Sequence, residues 1–276
     1  MIMLLNYSDM VGGILLNYLQ QNNIDHLCLS SSDMAMDLSV GQYLQNPCLW
    51  LNGSRVNICD INAVYCGRGS AAARPKIYCE NENDLNYIVN SWNSYLQYLL
   101  LRIPKKVGVL PASLWSGTFA QLPSLYAVAI KFNLLCPGFY YVNCENKAEL
   151  LADKDLFFIN NSVVSGIDDF GSFSEESVYA VTKTSGYWVC VLCVAEKLFA
   201  LKKQNNSWEP VSLSLSIDLL LVSYIKFFSL NMGQMFLRYN PDSNNYCFYA
   251  FSFLIMPEFS DYYDREILSS LRQELL

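Results

Sequence analysis

The chain has 276 residues, 53% of them hydrophobic and only 16% charged, with a formal net charge of −7. That length buries a sizeable core and predicts two compact domains, while the acidic balance excludes a partner held through phosphate-backbone contacts, which rest on clustered Lys and Arg. Long apolar runs are interrupted: the one most like a membrane span, 219–237, follows Asp218 and contains Lys226 and Asn231, so it is expected to be a core helix.

Met1-Ile2-Met3-Leu4-Leu5 has no basic flank and meets Asn6 and Asp9 too early for a secretory signal, so it reads as a buried strand in a cytoplasmic protein. Asp9 is expected to cap a helix with the apolar face Val11, Ile14, Leu15, Tyr18 and Leu19, closed at Asn22-Asn23, after which Asp25 to Ser30 returns as a strand. This is a βαβ start without a G-x-G-x-x-G fingerprint, because Gly12 and Gly13 fall inside the helix. A hairpin is expected around Asn52-Gly53, then a strand from Ile58 to Cys66 running into Gly67-Arg68-Gly69-Ser70. Asp84 should cap a long amphipathic helix ending at Leu99-Leu100, and Pro104-Lys105-Lys106 marks a domain boundary.

Beyond it, a helix starts near Leu122 with Pro123 in its first turn, where a missing N–H costs nothing, and ends before Leu135. Phe139 to Val142 and Leu156 to Ile159 read as strands, Asn146 to Leu151 as a short helix, and Tyr179 to Leu201 as a hairpin. Ser214 to Phe228 is helical. Phe236 to Tyr239 and Tyr246 to Ile255 form a second hairpin around the turn residues 240–245, and a last amphipathic helix begins at Ser260 or Asp261 and runs through Ile267, Leu268, Leu271 and Leu275.

Ten cysteines are irregularly spaced and there is one His, so neither a metal site nor a Cys-His nucleophile has support. Cys190 and Cys193 form a C-x-x-C inside a strand, where positions three apart point to opposite faces; buried free thiols in a reducing compartment are expected. His26 reads as structural. Asp168-Asp169 and Glu175-Glu176 fit a solvated loop. Arg68 and Arg74 are candidates for an anion-binding edge that takes a carboxylate or an acidic peptide, against the plainer account of surface charge.

Several segments then fall in a suggestive order. Ala63-Val64-Tyr65-Cys66-Gly67-Arg68 ends a strand in an aromatic-Arg loop, and Gln121-Leu122-Pro123-Ser124-Leu125 with Ala129 leads to Asn133 and Pro137. Asn160 follows the strand Phe157-Phe158-Ile159 ahead of Gly166, Trp188-Val189-Cys190-Val191 opens another strand, and an aromatic hairpin comes near the C-terminus. In that order the chain resembles the ATP-grasp ligases, in particular the peptide-modifying branch related to the microviridin and marinostatin maturases.

The resemblance implies an α/β (α+β) fold with a pre-ATP-grasp βαβ domain over 1–103 and a reduced ATP-grasp-like domain over 104–276. It also implies where ligands belong. Gln121 and Asn160 take the places of two nucleotide-binding Lys, Cys190 that of an Arg, and Arg238, Ser252 and Leu254 those of the Asp and Glu-x-Asn that hold Mg²⁺ against the nucleotide phosphates. The stretch from Gly166 to Tyr179, where the ligases carry several strands that cover ATP, is shortened. Losing charge at these six positions removes the groups that neutralise a triphosphate during acyl-phosphate formation. The expected protein is therefore a pseudoenzyme without a cofactor, a binding or regulatory subunit in peptide modification. Its expected partner is a precursor peptide, a catalytic ligase or a second copy, as a homo- or heterodimer, with no nucleic acid and no membrane. Two alternatives stay open: an active ATP- and Mg-dependent ligase joining a peptide carboxylate to an amine or hydroxyl through displaced ligands, and an unrelated α/β interaction domain.

Overall fold

Asp9 sets the first turn of the fold. Its side chain accepts a hydrogen bond from Gly12 N at 2.7 Å, capping helix α1 (Met10–Gln21), and a second at 2.6 Å from the hydroxyl of Tyr65. The flanking strands β1 (Ile2–Leu5) and β2 (His26–Leu29) pair in parallel. In the computed structural model the described residues are 1–29, 38–43, 46–51, 54–67, 98, 100–108, 122–143, 147–159, 167–171, 179–228 and 230–276. They divide into two compact units, Met1–Ser113 with Asp264–Leu276, and Leu114–Tyr263.

In the first unit β3 (Leu38–Tyr43), β4 (Asn46–Leu51) and β5 (Ser54–Asn57) make an antiparallel meander, with Leu51 opposite Ser54 across the expected Asn52-Gly53 turn. β6 (Ala63–Cys66) and β7 (Lys105–Gly108) complete a parallel sheet ordered β2-β1-β6-β7. Every residue of β1 and β6 is buried, as parallel strands covered on both faces require. Ile58–Asp60 is a single 3₁₀ turn, closed by Ile61 N donating to Ile58 O at 3.0 Å, and not the start of the strand that its apolar residues suggest. The Pro104-Lys105-Lys106 segment leads into β7. Helical residues at 98 and 100–102 lie where the Asp84 helix was expected to end; its body lies outside the described residues. His26 Nδ1 hydrogen-bonds with the carbonyl of Ile24 at 2.7 Å, a structural role.

The second unit holds two antiparallel sheets. After α2 (Leu122–Lys131), strands β8 (Phe139–Tyr141), β9 (Leu156–Ile159), β10 (Phe170–Gly171) and β11 (Tyr179–Thr182), with the short helix α3 (Lys147–Ala152), form a four-stranded sheet ordered β10-β9-β11-β8. Strands β12 (Tyr187–Val194), β13 (Lys197–Gln204) and β14 (Ser207–Pro210), helix α4 (Leu215–Phe227), then β15 (Met232–Asn240) and β16 (Asn245–Ser252) build a five-stranded sheet ordered β14-β13-β12-β15-β16. Helix α5 (Glu258–Leu275) closes the chain.

Two expectations are corrected here. The Tyr179–Leu201 segment is not one hairpin: Tyr179–Thr182 belongs to the four-stranded sheet, and the hairpin is β12 with β13. Its two-residue turn is Ala195-Glu196, both at positive φ (50° and 66°), a geometry whose twist matches the flanking strands but which these residue types do not advertise. The apolar run 219–237 is likewise not one core helix. It splits into the end of α4 and the start of β15, and α4 buries Ile217, Leu221, Tyr224 and Ile225 while leaving Leu215 and Leu219 exposed. Among the described residues no helix is long and apolar enough to cross a membrane.

Candidate functional site

Strand alternation sorts the five-stranded sheet into two faces. One packs on helices: Phe248 lies 4.9 Å from the ring of Tyr224 on α4 and 6.3 Å from that of Tyr126 on α2. The other is the candidate site. On β12 it carries Trp188, Cys190 and Leu192; opposite them on β15 stand Arg238, Phe236 and Gln234; opposite those on β16 stand Cys247, Ala250 and Ser252.

Three of the six positions singled out from sequence, Cys190, Arg238 and Ser252, thus share one face. Leu254 lies just past β16, its N–H donating to Ser252 Oγ at 3.0 Å. Gln121 and Asn160 lie outside the described residues, as do Arg68 and Arg74. The hairpin does not bring Arg238 and Ser252 together. Ser252 pairs with Gln234, and Arg238 is four residues further along, about 13 Å at the rise of a strand. Gln234 was missed in the sequence because the first strand was drawn only from Phe236; counting back from an Asn240–Asn245 pair reaches Gly233 opposite Ser252, and the bulge between Phe236 and Leu237 moves the pairing by one to Gln234.

Cys190 is fully buried, and its thiol is pushed up well above the ordinary value by desolvation, then by the charge of Glu258, against a smaller lowering by Lys203. Gln234 and Ser252 are also fully buried; Gln234 Oε1 accepts from Met256 N at 2.8 Å, while among the described residues its buried Nε2 has no hydrogen-bond acceptor and the buried Glu258 Oε2 no donor. Arg238 is half-buried, its pKa lowered by desolvation against the raising effect of Tyr249 and Cys247. The guanidinium lies 5.2 Å from the Trp188 ring centroid and 5.6 Å from that of Phe157, and Nη2 donates to Gly186 O.

Phe157 comes from β9, so this cation reaches across to the other sheet. Four ring pairs join the two sheets there: Phe157–Trp188 at 5.9 Å, Phe157–Tyr249 at 6.3 Å, Phe170–Trp188 at 4.9 Å and Phe170–Tyr249 at 5.5 Å. Each such pair is worth about 0.5–1.5 kcal/mol beyond its burial. Aromatic side chains and one guanidinium thus lie between the strand ahead of residue 160 and the β15–β16 hairpin.

Mg²⁺ takes hard oxygen ligands, carboxylate above all. A thiol and a guanidinium do not fit it, a neutral amide and a hydroxyl offer oxygens without the charge, and among the described residues no three His, Cys, Asp or Glu side chains gather where an ion would sit.

No family model and no curated protein matches the sequence. Solved structures do match. An ATP-grasp ligase from Chryseobacterium gregarium, associated with ribosomally made peptides and solved with ADP and a leader and core peptide, aligns over 99% of this chain and 96% of its own at a TM-score of 0.73 and 12% identity. The fold is that of the ATP-grasp ligases. The macrocyclases MdnB and MdnC of Microcystis aeruginosa MRC, the latter bound to its precursor peptide MdnA, align at TM-scores of 0.75 and 0.72 with 11% and 12% identity, covering 100% and 98% of this chain and 98% of each of theirs. Both the parallel sheet of the first unit and the paired antiparallel sheets of the second are therefore parts of an ATP-grasp fold, retained at an identity too low to carry residue roles across.

Proposed function

We propose that this ATP-grasp-fold chain is a non-catalytic binding or regulatory subunit in peptide modification, acting without ATP or Mg²⁺. The observation that carries the reading is the site face itself, where Cys190, Gln234, Arg238 and Ser252 stand on the two central strands and the edge strand with no carboxylate among the four, the negative charge that reaches Cys190 coming from Glu258 beyond the hairpin. Acyl-phosphate chemistry is almost entirely charge neutralisation and positioning around the transferring phosphoryl group, so a face of this composition supplies little of it. The peptide side of the reading is supported by the fold likeness to enzymes solved with leader, core and precursor peptides. Leu215 and Leu219 on α4 and Ile130 on α2, at 75%, 61% and 61% exposure, are surface of the kind that associating proteins cover. The partner is a precursor peptide, a catalytic ATP-grasp ligase or a second copy of this chain; the proposed domains are 1–103 and 104–276, whereas the compact units are Met1–Ser113 with Asp264–Leu276 and Leu114–Tyr263.

Size-exclusion chromatography with light scattering tests it. The expected outcome is the mass of a dimer, or of a stable complex with a co-expressed ATP-grasp ligase or precursor peptide. A strict monomer that co-elutes with neither contradicts the proposal.

A further inference from the structure

The face of the five-stranded sheet turned away from Arg238 ends in a hollow at the hairpin tip. Beyond the bulge, which leaves Tyr249 as an extra residue on β16, alternation puts Tyr239 and Tyr246 on the helix-facing side, since their neighbours Arg238 and Cys247 point the other way. The two ring centroids are 4.7 Å apart, and Tyr187 on β12 continues the row at 5.4 Å from Tyr239. Between Tyr239 and Tyr246, the end of α2 and the start of α4 lies a cavity of about 570 Å³, within the range of about 300–1,000 Å³ usual for small-molecule sites. Ile217 and Leu220 give it an apolar floor, and amides and hydroxyls give it a polar wall. Tyr239 donates to Asn244 Oδ1 at 2.7 Å, which leaves the Asn244 amide its N–H donors. Among the described residues, the side chains of Asn133, Ser212 and Asn245 and the hydroxyl of Tyr246 have no hydrogen-bond partner, and no Lys, Arg, Asp or Glu lines the cavity.

We propose that this cavity is a binding site for a neutral sugar ring. The C–H face of a pyranose lies against the phenol rings of Tyr239 and Tyr246, and its hydroxyls, each both donor and acceptor, pair with the amides of Asn133, Asn244 and Asn245 and the hydroxyl of Ser212. A carboxamide offers a donor and an acceptor in one plane, which is what two adjacent sugar hydroxyls need. Other ligand classes fit less well. An anion finds no cation here, and Asp218, in the first turn of α4, keeps a buried carboxylate oxygen without a donor among the described residues. An extended peptide finds no strand to join: β15 lies between β12 and β16, and β16 is met on its outer side by Leu135, whose carbonyl accepts from Phe248 N at 2.7 Å. The inference goes beyond the functional proposal and does not depend on it, because Cys190, Gln234, Arg238 and Ser252 occupy the opposite face of the sheet.

The test offers the full chain the methyl glycosides of glucose, galactose and mannose, neutral rings that differ in the orientation of their hydroxyls. Saturation-transfer difference NMR is expected to show at least one of them bound at about millimolar affinity, with the strongest transfer to ring C–H protons. Asn245→Ala and Asn133→Gly each remove one amide at an exposed position, and Gly suits the backbone of Asn133, which sits at φ +58°. Each is expected to keep the thermal midpoint of the parent and to weaken the sugar by about tenfold or more. A phosphorylated glucose, the same ring with a charge, is expected to bind more weakly than the neutral glycoside. Transfer to none of the glycosides, binding that both folded variants leave unchanged, or a phosphorylated glucose or a neutral peptide such as acetyl-Gly-Asn-Gly-amide binding better than every glycoside overturns the proposal. The mass of the protein in solution bears on the functional proposal alone, so the two can fail separately.

Discussion

Arg238 carries its charge into an aromatic setting, where a guanidinium keeps part of its favourable energy because ring faces are electron-rich and because Gly186 O accepts one of its protons. The same burial acts on thiols in the opposite sense. Cys66, Cys136, Cys193 and Cys247 are all pushed up from 9.0 to about 12, chiefly by desolvation of the thiolate. Since the unfolded chain releases these protons near 9 and the folded one near 12, the stability they contribute is complete below 9 and is lost as pH rises toward 12. Thermal melts in reducing buffer should therefore give a midpoint that falls steadily across that interval, with Tyr246, raised from 10.0 to about 12, adding to the fall. A midpoint constant between 9 and 12 would show that the thiols are not buried as described.

At the scale of elements, the β11–β12 connection is tightly constrained by its own backbone. Gly186 sits at φ +108°, and a Cβ built there would come within 1.9 Å of Tyr239 O. Gly186→Ala is expected to cost about 1–3 kcal/mol or more by denaturant unfolding, as backbone held outside the ordinary regions does, and a variant as stable as the parent would refute the strain. Much of this architecture was legible in the sequence. The Asp9 cap, the βαβ start, Pro123 in a first turn and the Asn52-Gly53 hairpin are local signals, and local signals need no tertiary information to be read. What escaped was set by packing. The last hairpin was drawn with a six-residue turn and a first strand beginning at Phe236, but Asn240 and Asn245 pair, the first strand extends back beyond Gln234, and the bulge shifts the partner of Ser252 from Gly233 to Gln234. The bulge at Tyr249 leaves no local mark, because an aromatic in an aromatic run looks the same on either face. β10 has two residues, and β14 follows the polar turn Asn205-Asn206, so neither carries enough alternation to be seen.

For the molecule as a whole, the order of elements carried more than the residues did. At 11–12% identity to the neighbours the ATP-grasp fold stays recognisable, because a fold tolerates far more sequence change than a site does. Cys190, Arg238 and Ser252 were legible as unusual, Gln234 became so once the register was known, and the filling of the inter-sheet space by Phe157, Phe170, Trp188 and Tyr249 needed the three-dimensional arrangement. The central claim, a fold kept without its nucleotide chemistry, is tested most directly by isothermal titration calorimetry of the purified chain with Mg·ATP. The account predicts binding no tighter than about millimolar, on the order of −4 kcal/mol, because a triphosphate finds few fixed cationic or metal partners on this face. Micromolar binding that requires Mg²⁺ would contradict it.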